Sequence, residues 1–273
     1  MFVKIYGCRG SIPVANSATH KYGGNTTCLY IESRNGDAII VDAGSGIREL
    51  GGELIKNRKE QLHLILTHYH WDHLQGFPFF VPAYIKSTRI NIYGATRESS
   101  PKKALSYQMS FPYFPTIVLS DLPAKFKFRD LKNTLKIGPI RIQTMEMNHP
   151  NYTQGLRFNE GGKSMVFMTD NELFYPKSKP KYRRFVKFAR GADLLIHDAA
   201  YSDEIYPKKI GWGHSTYSQV LQLARDSGVK HVVFTHHDPP TSDDFIDEIV
   251  KKYRKAHPRF QIEAAADGKS FKL

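Results

Sequence analysis

The sequence has few cysteines and no long apolar run, and both absences restrict the class of protein. Cys8 and Cys28, the two cysteines among 273 residues, form no CxxC pair, so we expect them to be reduced, buried and poor metal ligands. No apolar run approaches the roughly 20 residues that span a bilayer. The segment Met1 to Tyr6 is typical of a strand rather than a signal peptide. These features predict a cytoplasmic protein that does not cross a membrane.

Acidic residues are also scarce relative to basic ones. Thirty-nine Lys and Arg face 26 Asp and Glu, which leaves a net charge of +13. Such an excess suits a polyanionic or phosphorylated partner. With 41% hydrophobic and 24% charged residues, the chain can form a sizeable core, which argues against disordered and fibrous classes.

Short β-branched runs alternate with helical stretches along the chain, a pattern typical of an α/β protein. No linker interrupts it, so we predict one domain over residues 1–273. Residues 77–136 are less regular and richer in proline and aromatics. We interpret them as an insertion or lid; packing in the core or at an oligomer surface is the alternative. A dimer surface in this stretch would make a homodimer the expected assembly.

Five apolar runs end on a carboxylate or an imidazole. The endings are Asp42, His68, Asp170, His197-Asp198 and His236. Because buried strands of an α/β sheet present their carboxyl ends to one crevice, we expect these side chains to converge.

One predicted helix begins beside another histidine. Thr216 and Gln219 form a capping-box pattern before residues 217–227, and Gly228 follows the last turn. His214 would lie just before this helix.

The strongest chemical signal is the segment 67–73, which reads Thr-His-Tyr-His-Trp-Asp-His after an apolar strand. In extended backbone His68 and His70 point the same way, and a turn after them would bring Asp72 and His73 round behind. Imidazole and carboxylate are ligands that zinc prefers. The segment therefore predicts a site for two metals, which the other strand endings would complete.

Together with the distant His149, Asp170 and His236, this His-x-His-x-Asp-His motif resembles the metallo-β-lactamase superfamily of metal-dependent hydrolases over nearly the whole chain. The resemblance implies an α/β fold in the form of a four-layer αββα sandwich. It also implies that Asp42 supports the ligand loop without binding metal. The implied ligands are His68, His70 and His149 for one metal, Asp72, His73 and His236 for the second, and Asp170 as the bridge.

Within the superfamily, the sequence is closer to the phosphodiesterases that include ribonuclease Z and the phosphoribosyl cyclic phosphate phosphodiesterases. Both cysteines precede His68, so the cysteine ligand of true lactamases is missing, and there is no flavin domain of the flavodiiron type. Four stretches carry the closer resemblance: residues 7–13, 24–28, 197–200 and 213–216. The last two resemble the motifs that supply a carboxylate and a catalytic histidine in ribonuclease Z, here Asp198 and His214. Asp198 replaces the Glu typical there, and the Gly/Pro-rich arm that grips transfer RNA is missing.

The implied chemistry is attack of metal-activated hydroxide on a phosphodiester. By its place in the family pattern Asp72 would bind metal and orient or deprotonate the water, while His214, oriented by Asp198, would protonate the leaving oxygen. A role for His214 in capping the following helix is the structural alternative, although Ser215 and Thr216 are better caps.

We therefore expect a phosphodiesterase for a small or cyclic nucleotide-like substrate. The alternatives are a ribonuclease Z-like RNA endonuclease and a non-catalytic metal sensor or nucleic-acid-binding module. Zinc is the default for the two divalent metals, with manganese and iron as alternatives. The segment 177–190 holds seven basic residues and no acid, which suits a solvated helix face or a nucleic-acid patch.

Overall fold

The computed structural model describes residues 1–114, 117–177 and 181–273. Pro115 and Thr116, within the predicted insertion, and residues 178–180, within the basic segment, lie outside the described residues. The strands are β1 (Phe2–Gly7), β2 (Cys28–Glu32), β3 (Ala38–Val41), β4 (Gln61–Ile65), β5 (Arg89–Gly94), β6 (Lys125–Asp130), β7 (Thr134–Ile137), β8 (Ile140–Glu146), β9 (Gln154–Glu160), β10 (Lys163–Met168), β11 (Leu194–Asp198), β12 (His231–Thr235), β13 (Gln261–Ala264) and β14 (Ser270–Lys272). The helices are α1 (Ile47–Lys56), α2 (Pro101–Gln108), α3 (Tyr182–Ala189), α4 (Tyr217–Ser227) and α5 (Asp243–Ala256).

The strands form two mixed sheets of seven strands each. The first sheet has the order β14-β1-β2-β3-β4-β5-β6, and the second has the order β13-β12-β11-β10-β9-β8-β7. Strands β3 to β6 are parallel in the first sheet, as are β10 to β13 in the second. Helices α1 and α2 pack against the first sheet, and α3 to α5 pack against the second. The predicted four-layer αββα sandwich is confirmed.

Strand β3 illustrates why the central strands read as continuous apolar runs. Ile39 and Val41 belong to the core between the two sheets, whereas Ala38 and Ile40 face the core beneath α1. Both faces of the strand are therefore buried, and all four side chains must be apolar. The same two-sided burial applies to β11 and β12, which carry polar residues where they end.

Helix α4 begins and ends where its caps predict. The Thr216 side chain accepts a hydrogen bond from the backbone of Gln219, and the Gln219 side chain accepts one from the backbone of Thr216. Gly228 ends the helix in the left-handed conformation, with φ of 73°. The cap fixes the start of α4 and thus the position of the chain at His214.

The interpretation of residues 77–136 as an insertion needs a correction. Strands β5 and β6 lie within this range and extend the parallel part of the first sheet. Their sequences, RINIYG and KFKFRD, alternate apolar and polar residues, a strand pattern that the surrounding prolines and aromatics obscure. The range therefore includes structural strands as well as connecting segments.

Cys8 and Cys28 are both buried and free, in agreement with the sequence. In the ranges that the structure describes, no helix combines the length and apolarity needed to cross a membrane.

Replacing Ile39 by Ala tests the core between the sheets. Ile39 is 0% exposed, so its truncation should lower the free energy of unfolding by about 2–5 kcal/mol. Ile55→Ala is the matched control: this α1 residue is 37% exposed, and a change within about 0.5 kcal/mol is expected. Urea denaturation of both variants measures the difference. Equal losses would contradict the assignment of Ile39 to the central core.

Candidate metal centre

Residues just after three strands adopt unusual backbone conformations. Asp42 follows β3, Asp170 lies two residues after β10, and His236 follows β12; their φ angles are 61°, 53° and 58°. Non-glycine residues rarely adopt this left-handed region, and each instance costs about 1–3 kcal/mol. The backbone turns sharply at each of these strand ends. Their side chains meet at the edge shared by both sheets.

The first group of candidate ligands contains His68, His70, His149 and Asp170. One ligand atom from each lies within 4.8 Å of the others. Oδ2 of Asp170 is 3.6 Å from Nε2 of His68 and 3.8 Å from Nε2 of His149. The geometry suits a single cation held by three imidazoles and one carboxylate oxygen.

The second group contains Asp72, His73, Asp170 and His236, which meet the same distance limit of 4.8 Å. Here the other oxygen of Asp170, Oδ1, lies 3.2 Å from Nε2 of His73 and 3.4 Å from Nε2 of His236. Oδ2 of Asp72 lies 3.4 Å and 3.3 Å from the same two nitrogens. Asp170 therefore presents one oxygen to each group, as the bridging role implied by the resemblance requires.

The hydrogen bonds of two imidazoles leave a pair of facing nitrogens that could hold a cation. Nδ1 of His149 lies 3.2 Å from the carbonyl oxygen of Gly213, which can only accept, so Nδ1 carries the proton. Nε2 of His70 donates to Oδ1 of Asn151 at 2.8 Å, because the amide nitrogen of Asn151 faces Glu98. The remaining ring nitrogens, His149 Nε2 and His70 Nδ1, face each other 3.1 Å apart. A cation bound here could accept a lone pair from each of them.

The burial and charge of the cluster also fit a metal site. Among the described residues, buried Nε2 atoms of His68 and His73 have no hydrogen-bond partner. Burial holds the pKa of His68 well below its ordinary value and lowers the pKa of His149 to about 4, so both rings are neutral donors of a lone pair. Burial would raise the pKa of Asp170, but His236 and His73 together hold it well below its ordinary value.

Asp42 supports the cluster from behind. Its Oδ2 accepts a hydrogen bond from Nδ1 of His73 at 2.8 Å, and its Oδ1 accepts one from the backbone of Thr67 at 2.8 Å. This leaves Nε2 of His73 directed at the two candidate carboxylate ligands. A carboxylate bonded to the outer nitrogen of a histidine is the usual arrangement behind a metal ligand.

The predicted catalytic pair lies beside the cluster. Nδ1 of His214 is 2.9 Å from Oδ2 of Asp198, and the backbone of Ser215 donates to Oδ1 of Asp198 at 2.9 Å. The His214 ring stacks on the ring of His236, with centroids 4.6 Å apart, and meets His149 edge-on at 5.3 Å. The structure thus brings all nine predicted site residues to one edge of the sandwich.

Several residues that shape the site were not found from the sequence. A Cβ added to Gly10 would lie 2.3 Å from atoms of the His236 ring, and one added to Gly213 would lie 2.0 Å from the His149 ring. The backbone N–H of Ser11 donates to Oδ2 of Asp72 at 2.8 Å. Close approach between segments so distant in the chain leaves no local pattern. Gly10 and Gly213 lie within the motif stretches noted above, which was the one available signal.

A family model described as Beta-lactamase superfamily domain matches residues 37–237. The chain belongs to the beta-lactamase superfamily. The predicted family is confirmed, and the chain is a metal-dependent hydrolase.

Within the superfamily, the probable metallo-hydrolase YhfI of Bacillus subtilis is 26% identical over 249 residues, 86% of each chain. A ribonuclease Z of Clostridium acetobutylicum is 24% identical over 283 residues, 88% of each chain. The crystal structure of a diphosphatase from the PhnP family superposes with a TM-score of 0.71 at 17% identity, covering 100% of this chain and 97% of that one. The two sequence matches cover most of the chain, and the fold of the diphosphatase matches along its whole length.

Replacing Gly10 by Ala tests whether close packing positions His236. The added methyl should displace the ring and weaken metal affinity by about 10- to 100-fold, the range seen when groups that orient ligands are changed. Gly52→Ala is the control, because no heavy atom lies within 4 Å of the added Cβ in α1. Competition with a chromogenic chelator measures both affinities. Unchanged zinc affinity in the Gly10 variant would show that His236 needs no such contact.

Proposed function

We propose that this hydrolase is a dinuclear metal-dependent phosphodiesterase acting on a small or cyclic nucleotide-like substrate. The proposed ligands are the two groups above, with Asp170 shared between them. When bound, divalent cations supply hydroxide from water at neutral pH and offset negative charge on a phosphoryl oxygen. Zinc is the default choice, and manganese and iron are the alternatives, because imidazole and carboxylate suit all three.

The observation that carries this proposal is the buried Asp198–His214 pair next to the cluster. Asp198 accepts from Nδ1 of His214 at 2.9 Å, which fixes the ring and leaves Nε2 as the nitrogen available for proton transfer. Breaking a phosphodiester releases an alkoxide that needs a proton, and His214 is the proposed donor. A metal sensor or nucleic-acid-binding module would have no use for such an acid.

Asp72 is proposed to act on the attacking water. Its Oδ2 is held by the backbone N–H of Ser11 and by His236. Burial would raise the pKa of Asp72, but nearby His73 and the hydrogen bond from His236 lower it, so the carboxylate is ionised and can accept a hydrogen bond from the water. In this scheme, Asp72 both binds metal and orients the water.

The surroundings of the cluster favour a small substrate. A cavity of about 350 Å³ borders His149 and is lined in part by Tyr175, Lys177, Gly211 and Gly213. Its volume is in the range of pockets for small molecules, and its charged lining residues are Lys177 and the carboxylates Glu146 and Glu172. A related fold occurs in a diphosphatase from the PhnP family, which adds support for a phosphorylated substrate.

Replacing His214 by Ala tests the acid role through the leaving group. Turnover of an alkyl phosphodiester, such as a nucleoside 2′,3′-cyclic phosphate, should fall about 10²- to 10⁴-fold. Turnover of bis(p-nitrophenyl) phosphate should fall much less, because p-nitrophenolate leaves without a proton. Metal content should stay close to that of the wild type.

His257→Ala serves as the matched control, since His257 lies at the end of α5 and packs on Tyr253 and Phe260. Equal losses of turnover on both substrates would show that His214 does not donate the proton to the leaving group. Failure of the metal-loaded wild type to hydrolyse any phosphodiester, cyclic or linear, would favour the non-catalytic alternative.

A second candidate function, a ribonuclease Z-like RNA endonuclease, is favoured by a basic groove. A groove of about 760 Å³ beside α3 is lined in part by Arg157, Arg184, Lys187 and Arg190, and it shares Glu146 with the cavity near His149. A chain of phosphates could follow these cations toward the site. Arg157 already donates to the carbonyl oxygens of Phe188 and Arg190, which leaves three cations for phosphate.

Salt dependence separates these two substrate classes. If RNA occupies the groove, the logarithm of its binding constant should fall steeply with the logarithm of salt concentration, and Arg184→Gln with Lys187→Gln should reduce the slope by about 1.4 in total. The control removes two exposed lysines of α5, Lys251→Gln with Lys255→Gln. Filter binding of a single-stranded RNA measures both slopes. Equal slopes in the two double variants would exclude the groove as an RNA site.

Two further expectations, a homodimer and a cytoplasmic location, remain predictions. The homodimer would bury exposed aromatic side chains such as Phe79, Tyr107, Phe111 and Tyr113. The cytoplasmic location rests on the sequence alone.

A further inference from the structure

Both tryptophans of the chain are exposed next to residues of the candidate metal centre. Trp71 separates His70 from Asp72 and is 67% exposed, and Trp212 lies two residues before His214 and is 57% exposed. Tryptophan is highly buried on average in folded proteins. Either exposed indole is a candidate for contact with a ligand, and among the described residues only that of Trp212 has a lysine over its ring.

Trp212 is carried by a backbone segment that a buried carboxylate holds in place. The carboxylate of Glu172 accepts hydrogen bonds from the backbone of Gly211 at 2.9 Å and of Gly213 at 3.0 Å, and from the hydroxyl of Tyr206 at 2.8 Å. Both glycines have positive φ, 88° and 89°, which other residues rarely adopt. The position of Trp212 is thus set before any ligand arrives, and less ordering is needed on binding.

Lys209 carries a positive charge between two aromatic rings. Its Nζ lies 3.7 Å from the ring centroid of Trp212 and 5.8 Å from that of Tyr201. Tyr201 in turn meets the ring of His214 edge-on, with centroids 5.8 Å apart. Cation–π contacts orient the ammonium without neutralising it. Within the described residues Lys209 makes no ion pair shorter than 4.0 Å. Burial raises the pKa of Asp238, and the charge of Lys209 opposes this rise.

We propose that Lys209 and Trp212 form a subsite for the nucleoside part of the substrate. The exposed surface of Trp212 stacks on the nucleobase, and the ammonium of Lys209 binds an anionic oxygen of the same nucleoside phosphate. The chain of contacts through Tyr201 links this subsite to His214. The inference rests on the proposed phosphodiesterase function and adds the part of the substrate that would be recognised.

Binding of two phosphates that differ only in the base tests this subsite without turnover. Zinc-loaded protein is titrated by calorimetry with adenosine 5′-monophosphate and with ribose 5-phosphate. Trp212→Leu should weaken binding of the nucleotide by about 5- to 150-fold and leave ribose 5-phosphate nearly unchanged, since stacking needs the base. Trp212→Phe should be intermediate. Lys209→Gln should weaken both ligands by similar factors, because it removes a charge.

Trp71→Phe is the matched control, and equal affinities to the wild type are expected for both ligands. A selective loss for the nucleotide in this variant but not in Trp212→Leu would move the subsite to Trp71 and overturn the proposal. Equal losses of both ligands in Trp212→Leu, or no nucleotide binding to the wild type, would also overturn it. Base-selective binding through Trp212 without hydrolysis of any phosphodiester would instead refute the proposed function and retain the subsite.

Discussion

The constraint on which the site depends is a cluster of imidazole nitrogens and carboxylate oxygens, most of them in buried residues, that face one another. Ring nitrogens of His70 and His149 lie 3.1 Å apart, and the two oxygens of Asp170 are directed at different groups of imidazoles. Burying so many polar and charged groups together is unfavourable unless they are compensated, and bound cations would compensate them. A cluster that needs metal in this way is consistent with the metal-dependent hydrolase activity of the chain.

The fold creates this constraint by bringing strand ends from two sheets to one edge. Parallel strands β3 and β4 lie in the first sheet, and β10, β11 and β12 lie in the second, so their polar endings meet across the sandwich. Left-handed backbone at Asp42, Asp170 and His236 turns the chain sharply at these ends. The dense apolar core between the sheets holds those conformations in place. Stability of the sandwich and geometry of the site are therefore coupled.

Much of this arrangement could be predicted because it rests on local patterns. The ligand residues follow apolar strands, and the α4 caps at Thr216 and Gly228 follow from side-chain chemistry alone. Resemblance to a known family supplied the layer order and the division of ligands. Strands β5 and β6 were missed because the prolines around them suggested irregular structure. Close contacts such as Gly10 against His236 join segments from opposite ends of the chain, and pairings of this kind leave no periodic signal.

The proposed site has Asp170 between two cations. The most direct test is anomalous diffraction from a crystal grown with zinc, with data collected on both sides of the zinc absorption edge. We expect two anomalous peaks, one among His68, His70 and His149 and the other among Asp72, His73 and His236, with an Asp170 oxygen directed at each. No peak in the cluster despite ample zinc, or a single peak away from Asp170, would contradict this proposal.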